Sequence, residues 1–180
     1  MNRKHFITAL AGLAALAASS AQAQGTIKIG EVNSYKVQPA FLEPYKKGWE
    51  LAVEEVNAAG GVLGRKIEFI SRDDGGTPSD ALRVAEELIL RDKVCMLTGT
   101  TLSNVAVAMA DFAKERKVPF IICECLSDSV QLEKGNRYTM RWGMGTYTMT
   151  ATMFPMAKAT GAKRWALVVP NYEYGQSAAK

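Results

Sequence analysis

Asp73 and Asp74 stand side by side ahead of Gly75 and Gly76, and paired carboxylates are where acid–base chemistry is first sought. In a glycine-rich turn such a pair more commonly caps backbone amides or faces water. Three cysteines follow, Cys95, Cys123 and Cys125, each in or just after an apolar run. An exported protein can pair such thiols, and buried thiols also pack as small hydrophobes in neighbouring strands. A lone Cys-x-Cys with no further ligands is no zinc site. The only histidine, His5, lies near the N-terminus. Its absence elsewhere removes Ser–His and Cys–His activation and most zinc chemistry, so no catalytic residue, metal or cofactor is expected.

The start of the chain sets the expected compartment. Arg3 and Lys4 precede an almost wholly apolar run over residues 6–18, and Ala21-Gln22-Ala23 supplies a small-x-small cleavage site. That order is a secretory signal peptide over residues 1–23, and the apolar run is shorter than the ~20 residues of a spanning helix. Leaving out Arg3 and Lys4 lowers the formal charge from +4 to about +2, so the pI of about 9.0 overstates the basicity of the mature chain. Basic and acidic residues interleave on helix faces and form no stripe, so nucleic acid is not an expected partner. With 48% hydrophobic residues the chain can bury a core, and its length suits one domain and a remainder.

The elements that must position any functional group alternate between strand and helix. Residues 26–32 alternate as a strand and lead into a loop over residues 33–39. Leu42, Tyr45, Trp49, Ala52, Val53 and Val56 recur at three- and four-residue steps, which predicts a helix with Pro44 in its first turn and its end at Gly60-Gly61. Residues 66–71 form the second strand. Thr77, Pro78 and Asp80 then suit a capped helix start, with Leu82, Ala85, Leu88 and Ile89 inward. Residues 94–97 and 118–123 are short apolar runs of the kind buried in parallel sheets. A helix over residues 105–113 separates them, and residues 138–142 suit a fifth strand.

After Trp142 the pattern restarts with a helix over residues 146–160 that Pro155 should kink, a buried strand over residues 164–169, and a helix opening at Tyr174-Gly175-Gln176. The sum is an α/β fold, a doubly wound parallel sheet with the start of a second similar lobe. Ligands of such sheets bind outside the carboxyl ends of the strands. Those ends are the loops at residues 33–39, 99–104 and 124–128, so Ser34 and Tyr35 of the first loop are candidates. Tyr35 could stack on an aromatic or fill space against an aliphatic group, and Lys36 could meet a carboxylate or face water. No internal repeat and no low-complexity tract beyond the signal is present.

Residues 48–65 (GWELAVEEVNAAGGVLGR) carry a helix-and-turn signature, followed in order by Asp73-Asp74 with Thr77-Pro78, residues 92–99 (DKVCMLTG), Ser103 before an alanine-rich helix, Val118-Pro119, Arg141, and Tyr174-Gly175-Gln176. Together they resemble type I periplasmic solute-binding proteins of ABC importers, of the leucine/isoleucine/valine-binding class, over the N-terminal portion only. The resemblance implies two lobes closing on a small-molecule ligand, residues 24–142 in the first lobe and residues 143–180 crossing the hinge into a truncated second. It implies a periplasmic, monomeric protein that captures an amino acid or other small carboxylate or amide and hands it to an ABC permease and its ATPase subunits at the inner membrane. A periplasmic ligand sensor on the same fold and a truncated, non-functional remnant are the alternatives.

By the same resemblance Ser103 holds a ligand carboxylate, Thr101 and Leu102 line its wall, Cys125 and Ser127 take the places of an alanine and a threonine, and Tyr174 closes over the ligand. The chain departs from the family pattern in its first loop, 33–39, and in placing Glu124 and two cysteines where small hydroxyl residues are usual.

Overall fold

A computed structural model describes residues 25–180, so the expected signal over residues 1–23 lies outside the described residues. Five strands, β1 (Ile27–Asn33), β2 (Ile67–Asp73), β3 (Met96–Gly99), β4 (Phe120–Ile122) and β5 (Thr139–Arg141), form one parallel sheet in the order β2-β1-β3-β4-β5. The chain leaves β1 toward one edge, returns past it to β3 and then continues outward, so the direction of winding reverses between β1 and β3. Helices consequently cover both faces.

On one face α1 (Pro39–Ala58) lies against β2, with Trp49 stacked on Phe69 at 4.4 Å between ring centroids. The Asn57 side chain clamps the start of β2, accepting from the Ile67 amide at 2.7 Å and donating to its carbonyl at 2.8 Å. On the other face α2 (Pro78–Leu90) and α3 (Ser103–Arg116) close the core. There Val32, Leu97, Phe120 and Ile122 of the sheet meet Ala81, Val84, Ala85, Leu88, Val105 and Met109. A short α4 (Ser129–Leu132) precedes β5, and α5 (Thr146–Ala159) and α6 (Glu173–Ala179) follow, α6 packing on both α3 and α5. No helix among the described residues is long and apolar enough to cross a membrane.

Several expectations are corrected. The first helix starts at Pro39, because that proline takes the N-terminal position where its missing N–H costs nothing; Pro44 therefore sits inside the helix and not in its first turn. Ala52 and Val56 are exposed, while Leu42 is buried and Tyr45, Trp49 and Val53 are half-buried. In α2, Ala81 and Val84 are fully inward, and Leu82 and Ile89 lie at the margin. Thr77 does cap α2, accepting from the Asp80 amide at 3.2 Å, and Asp80 accepts from the Thr77 hydroxyl at 2.9 Å. The third strand falls two residues later than its apolar run. α5 runs through Pro155 as one helix. Residues 164–169 form no strand, and Trp165, Leu167 and Val168 are exposed; an extended segment becomes a strand only when a neighbour takes its amides.

Candidate functional site

Asn33, the last residue of β1, is fully buried and joins the two loops at the point where winding reverses. Its Oδ1 accepts from the Ser34 amide at 3.1 Å, the Thr101 amide at 3.1 Å and the Thr101 hydroxyl at 2.7 Å. This tie is possible because Gly99 and Thr100 both turn through the left-handed region, with φ of 109° and 64°. Past that turn Leu102 precedes α3, and Ser103 opens it with 1% of its surface exposed. The first-turn amides of a helix have no intrahelical acceptor, and the helix dipole favours an anion there. Behind Ser103 the buried Cys125 thiol donates to its Oγ at 3.4 Å.

The loop after β4 is held by Arg141, whose side chain is 5% exposed. Its guanidinium donates to the Ser127 carbonyl at 2.7 Å and pairs with Asp128 at 3.2 Å. Asp128 also accepts from the Thr146 hydroxyl at 2.8 Å and the Tyr147 amide at 2.6 Å. Burial alone would raise its pKa, but the Tyr147 amide, the Thr146 hydroxyl and Arg141 together hold it below the usual carboxylate range. Arg141 and Asp128 thus fix the β4 loop and the start of α5 in one network.

Over these loops lies a pocket of about 180 Å³ lined by Gln38, Phe41, Thr101, Ser103, Glu124, Leu126, Tyr172 and Tyr174. The Tyr172 and Tyr174 rings stand 6.1 Å apart at 53°. Glu124 accepts from the Thr101 hydroxyl at 2.9 Å, and burial raises its pKa against the lowering effect of Thr101 and Asn33. The single Thr101 proton serves either Asn33 or Glu124 at one time. No lysine or arginine lines the pocket.

Of the candidates, Thr101, Ser103 and Tyr174 line this one pocket, with Cys125 in contact behind Ser103. The other candidates do not. Ser34 is fully buried and donates to Asp74 at 2.6 Å, holding the first two loops together. Tyr35 turns beneath α1, where its hydroxyl donates to Glu31 at 3.3 Å and accepts from Trp49 at 3.2 Å. Leu102 packs against the apolar core. Ser127 is buried and donates to Glu173 at 2.7 Å, as Ser129 does at 2.6 Å, which ties α6 to the β4 loop. Asp73 and Asp74 cap loop amides: Asp73 accepts from Lys36 and Gly75, and Asp74 from Gly76. Lys36 faces water. The three cysteines are free thiols. Among the described residues no three His, Cys, Asp or Glu side chains gather as metal ligands.

Gln38, Phe41, Glu124, Leu126 and Tyr172 also line the pocket and were not among the candidates. Starting α1 at Pro39 would have placed Gln38 and Phe41 at the mouth of the pocket, and the Tyr-x-Tyr spacing of 172 and 174 was the available signal for Tyr172.

A family model described as periplasmic binding protein matches residues 26–180. The chain is 34% identical over 128 residues to Leu/Ile/Val-binding protein homolog 7 of Brucella suis biovar 1 (strain 1330), covering 71% of this chain and 31% of that protein. It is similar to a solved ABC-transporter solute-binding protein from R. palustris in complex with 4-hydroxybenzoate, with TM-score 0.76, 28% identity and coverage of 86% of this chain and 41% of that one. It is also similar to the branched-chain amino acid transporter substrate binding protein LivJ from Streptococcus pneumoniae str. Canada MDR_19A in complex with isoleucine, with TM-score 0.62, 30% identity and coverage of 67% and 34%. The chain therefore spans about three-tenths of the length of the curated relatives it matches.

Proposed function

Since this chain belongs to the periplasmic binding protein family, we propose that it captures a small carboxylate-bearing solute outside the inner membrane for delivery to an ABC-type importer. Residues 24–142 would form the first lobe and residues from 143 would lead into a second. The observation that carries this reading is the pocket at the reversal point between β1 and β3, with Ser103 and the opening amides of α3 on its floor. A parallel sheet places its ligands at such a point, and a helix N-terminus supplies N–H donors to an anion.

In this reading the solute's carboxylate settles on the Ser103 hydroxyl and the amides beside it, in place of water. Tyr172 and Tyr174 then close on the solute from the α6 side, and the closed form is the one a permease reads. Nothing in this sequence of events needs a bond to be made or broken.

Ser103→Ala tests the carboxylate's position. Calorimetric titration with a panel of amino acids and aromatic carboxylates should show the variant binding its best solute about ten- to a hundredfold more weakly, the value of a hydrogen bond to a charged group. An unchanged affinity would move the carboxylate to another wall of the pocket.

A further inference from the structure

Glu31 and Asn33 lie two residues apart on β1, so both project from the face that α1 covers, and Val32 between them enters the opposite apolar core. Glu31 does not line the pocket; it accepts from the Ser71 hydroxyl at 2.5 Å and the Tyr35 hydroxyl at 3.3 Å. Glu124 on the β4 loop does line it and accepts from the Thr101 hydroxyl at 2.9 Å. The fully buried Asn33 reaches both acids. Its Oδ1 takes three hydrogen bonds from Ser34 and Thr101, while its Nδ2 is buried with no acceptor in hydrogen-bond distance. Burial raises the pKa of Glu31 and of Glu124; Ser71 and Asn33 oppose the rise at Glu31, and Thr101 and Asn33 oppose it at Glu124.

One buried donor thus stands within the influence of two carboxyls, and leaving it unmade is costly. The groups facing Glu31 are Ser71 of β2, Tyr35 and Asp74 of the loops, Asn33 of its own strand and Tyr45 of α1. None of them carries a positive charge, so an ionised Glu31 has the Asn33 nitrogen as its one further donor among them. A protonated Glu31 needs an acceptor instead, and the Tyr35 or Ser71 hydroxyl can turn to supply it. The Asn33 nitrogen is then left to Glu124.

Resting on the capture reading above, we infer that Asn33 is a positioning residue of the pocket, its amide nitrogen turning to Glu31 when that carboxyl is ionised and to Glu124 when it is protonated. Thr101 changes partner in step. With the Asn33 nitrogen on Glu31, the Thr101 proton goes to Glu124; with the nitrogen on Glu124, the Thr101 proton serves the Asn33 oxygen. A proton in the core thereby sets which hydrogen-bonding groups the pocket wall presents to a solute.

Nuclear magnetic resonance of the unliganded, isotopically labelled protein between about pH 5 and pH 9 tests this, a range that brackets the value of about 7 for Glu31. The Asn33 side-chain amide and the Thr101 backbone amide should move with the same midpoint as the Glu31 carboxyl carbon. The coupling across the hydrogen bond from Asn33 Nδ2 should report the Glu124 carboxyl carbon below that midpoint and the Glu31 carboxyl carbon above it. Glu31→Gln, which cannot ionise, should hold the coupling on Glu124 throughout and abolish the step at Thr101.

A coupling to the same carboxyl on both sides of the midpoint, or to neither, makes Asn33 a structural tie only and overturns the proposal. So does a Thr101 step that survives Glu31→Gln. The wild-type couplings decide even if that variant fails to fold. Because no solute is present, a negative result leaves solute capture standing, and failure of the calorimetric panel would leave the movement of Asn33 to be judged on these spectra alone.

Discussion

Glu31 is fully buried beneath α1, where Ser71 donates to it at 2.5 Å and Tyr35 at 3.3 Å, and burial lifts its pKa to about 7. Those two hydroxyls and Asn33 pull the value down, and the charge of Asp74 pushes it further up. A carboxyl whose pKa is higher in the folded state binds its proton more tightly there. The stability it lends is complete below the ordinary carboxylate range and is lost as pH rises toward about 7. The raised value corresponds to roughly 3 kcal/mol. Urea midpoints measured at pH 5 and pH 8 should therefore fall with pH for wild type and fall distinctly less for Glu31→Gln. Some slope should remain, because burial raises Asp74 and Glu124 in the same direction. An identical slope in the two proteins would mean that Glu31 is ionised in the fold at both pH values. At this scale the sequence was only partly legible. Ser103, Thr101, Ser127 and Tyr174 were assigned from the family resemblance and Ser34 and Tyr35 from loop position, and of these six only Thr101, Ser103 and Tyr174 line the pocket. Neither source says which way a side chain turns; Asp74, Trp49 and Glu173 decided that for Ser34, Tyr35 and Ser127.

The elements owe their arrangement to a few backbone positions. Gly99 has φ 109°, and a Cβ there would overlap the Val32 carbonyl of the neighbouring strand. The close approach lets Thr100 donate its amide to that carbonyl at 2.9 Å and delivers Thr101 to Asn33. Gly99→Ala should cost about 2 kcal/mol or more in denaturant unfolding, combining a left-handed backbone with a steric overlap. A midpoint equal to wild type would show that the β3 turn relaxes freely, and the tie between the two loops could then not be what sets the pocket floor. The strand–helix alternation was readable because period-two and 3.6-residue patterns are local properties of the chain. Boundaries were not, since pairing partners set them. β3 runs to Gly99 because Val32 pairs with Gly99, and residues 164–169 form no strand despite an apolar run as strong as that of β3.

Across the described residues, two of the concavities differ most in what they could hold. The larger, about 730 Å³, lies along α5 among Met149, Met153, Phe154, Leu167 and Val168, with Tyr174 at its edge. Apart from threonine hydroxyls and Tyr174 its side chains offer no polar partner to a charged solute. The smaller lies at the carboxyl ends of the strands and gathers a helix N-terminus, an acid and three aromatic rings. Volume favours the first and chemistry the second, and a small polar solute is held by a few convergent polar groups more than by room. Backbone amide chemical shifts of the isotopically labelled protein, recorded while a zwitterionic amino acid is titrated in, decide between them. Saturable shifts centred on residues 101–104, with further shifts at residues 172–174, are the predicted result. Shifts confined to residues 149–168 with residues 101–104 unmoved would contradict the placement of solute capture at the strand ends.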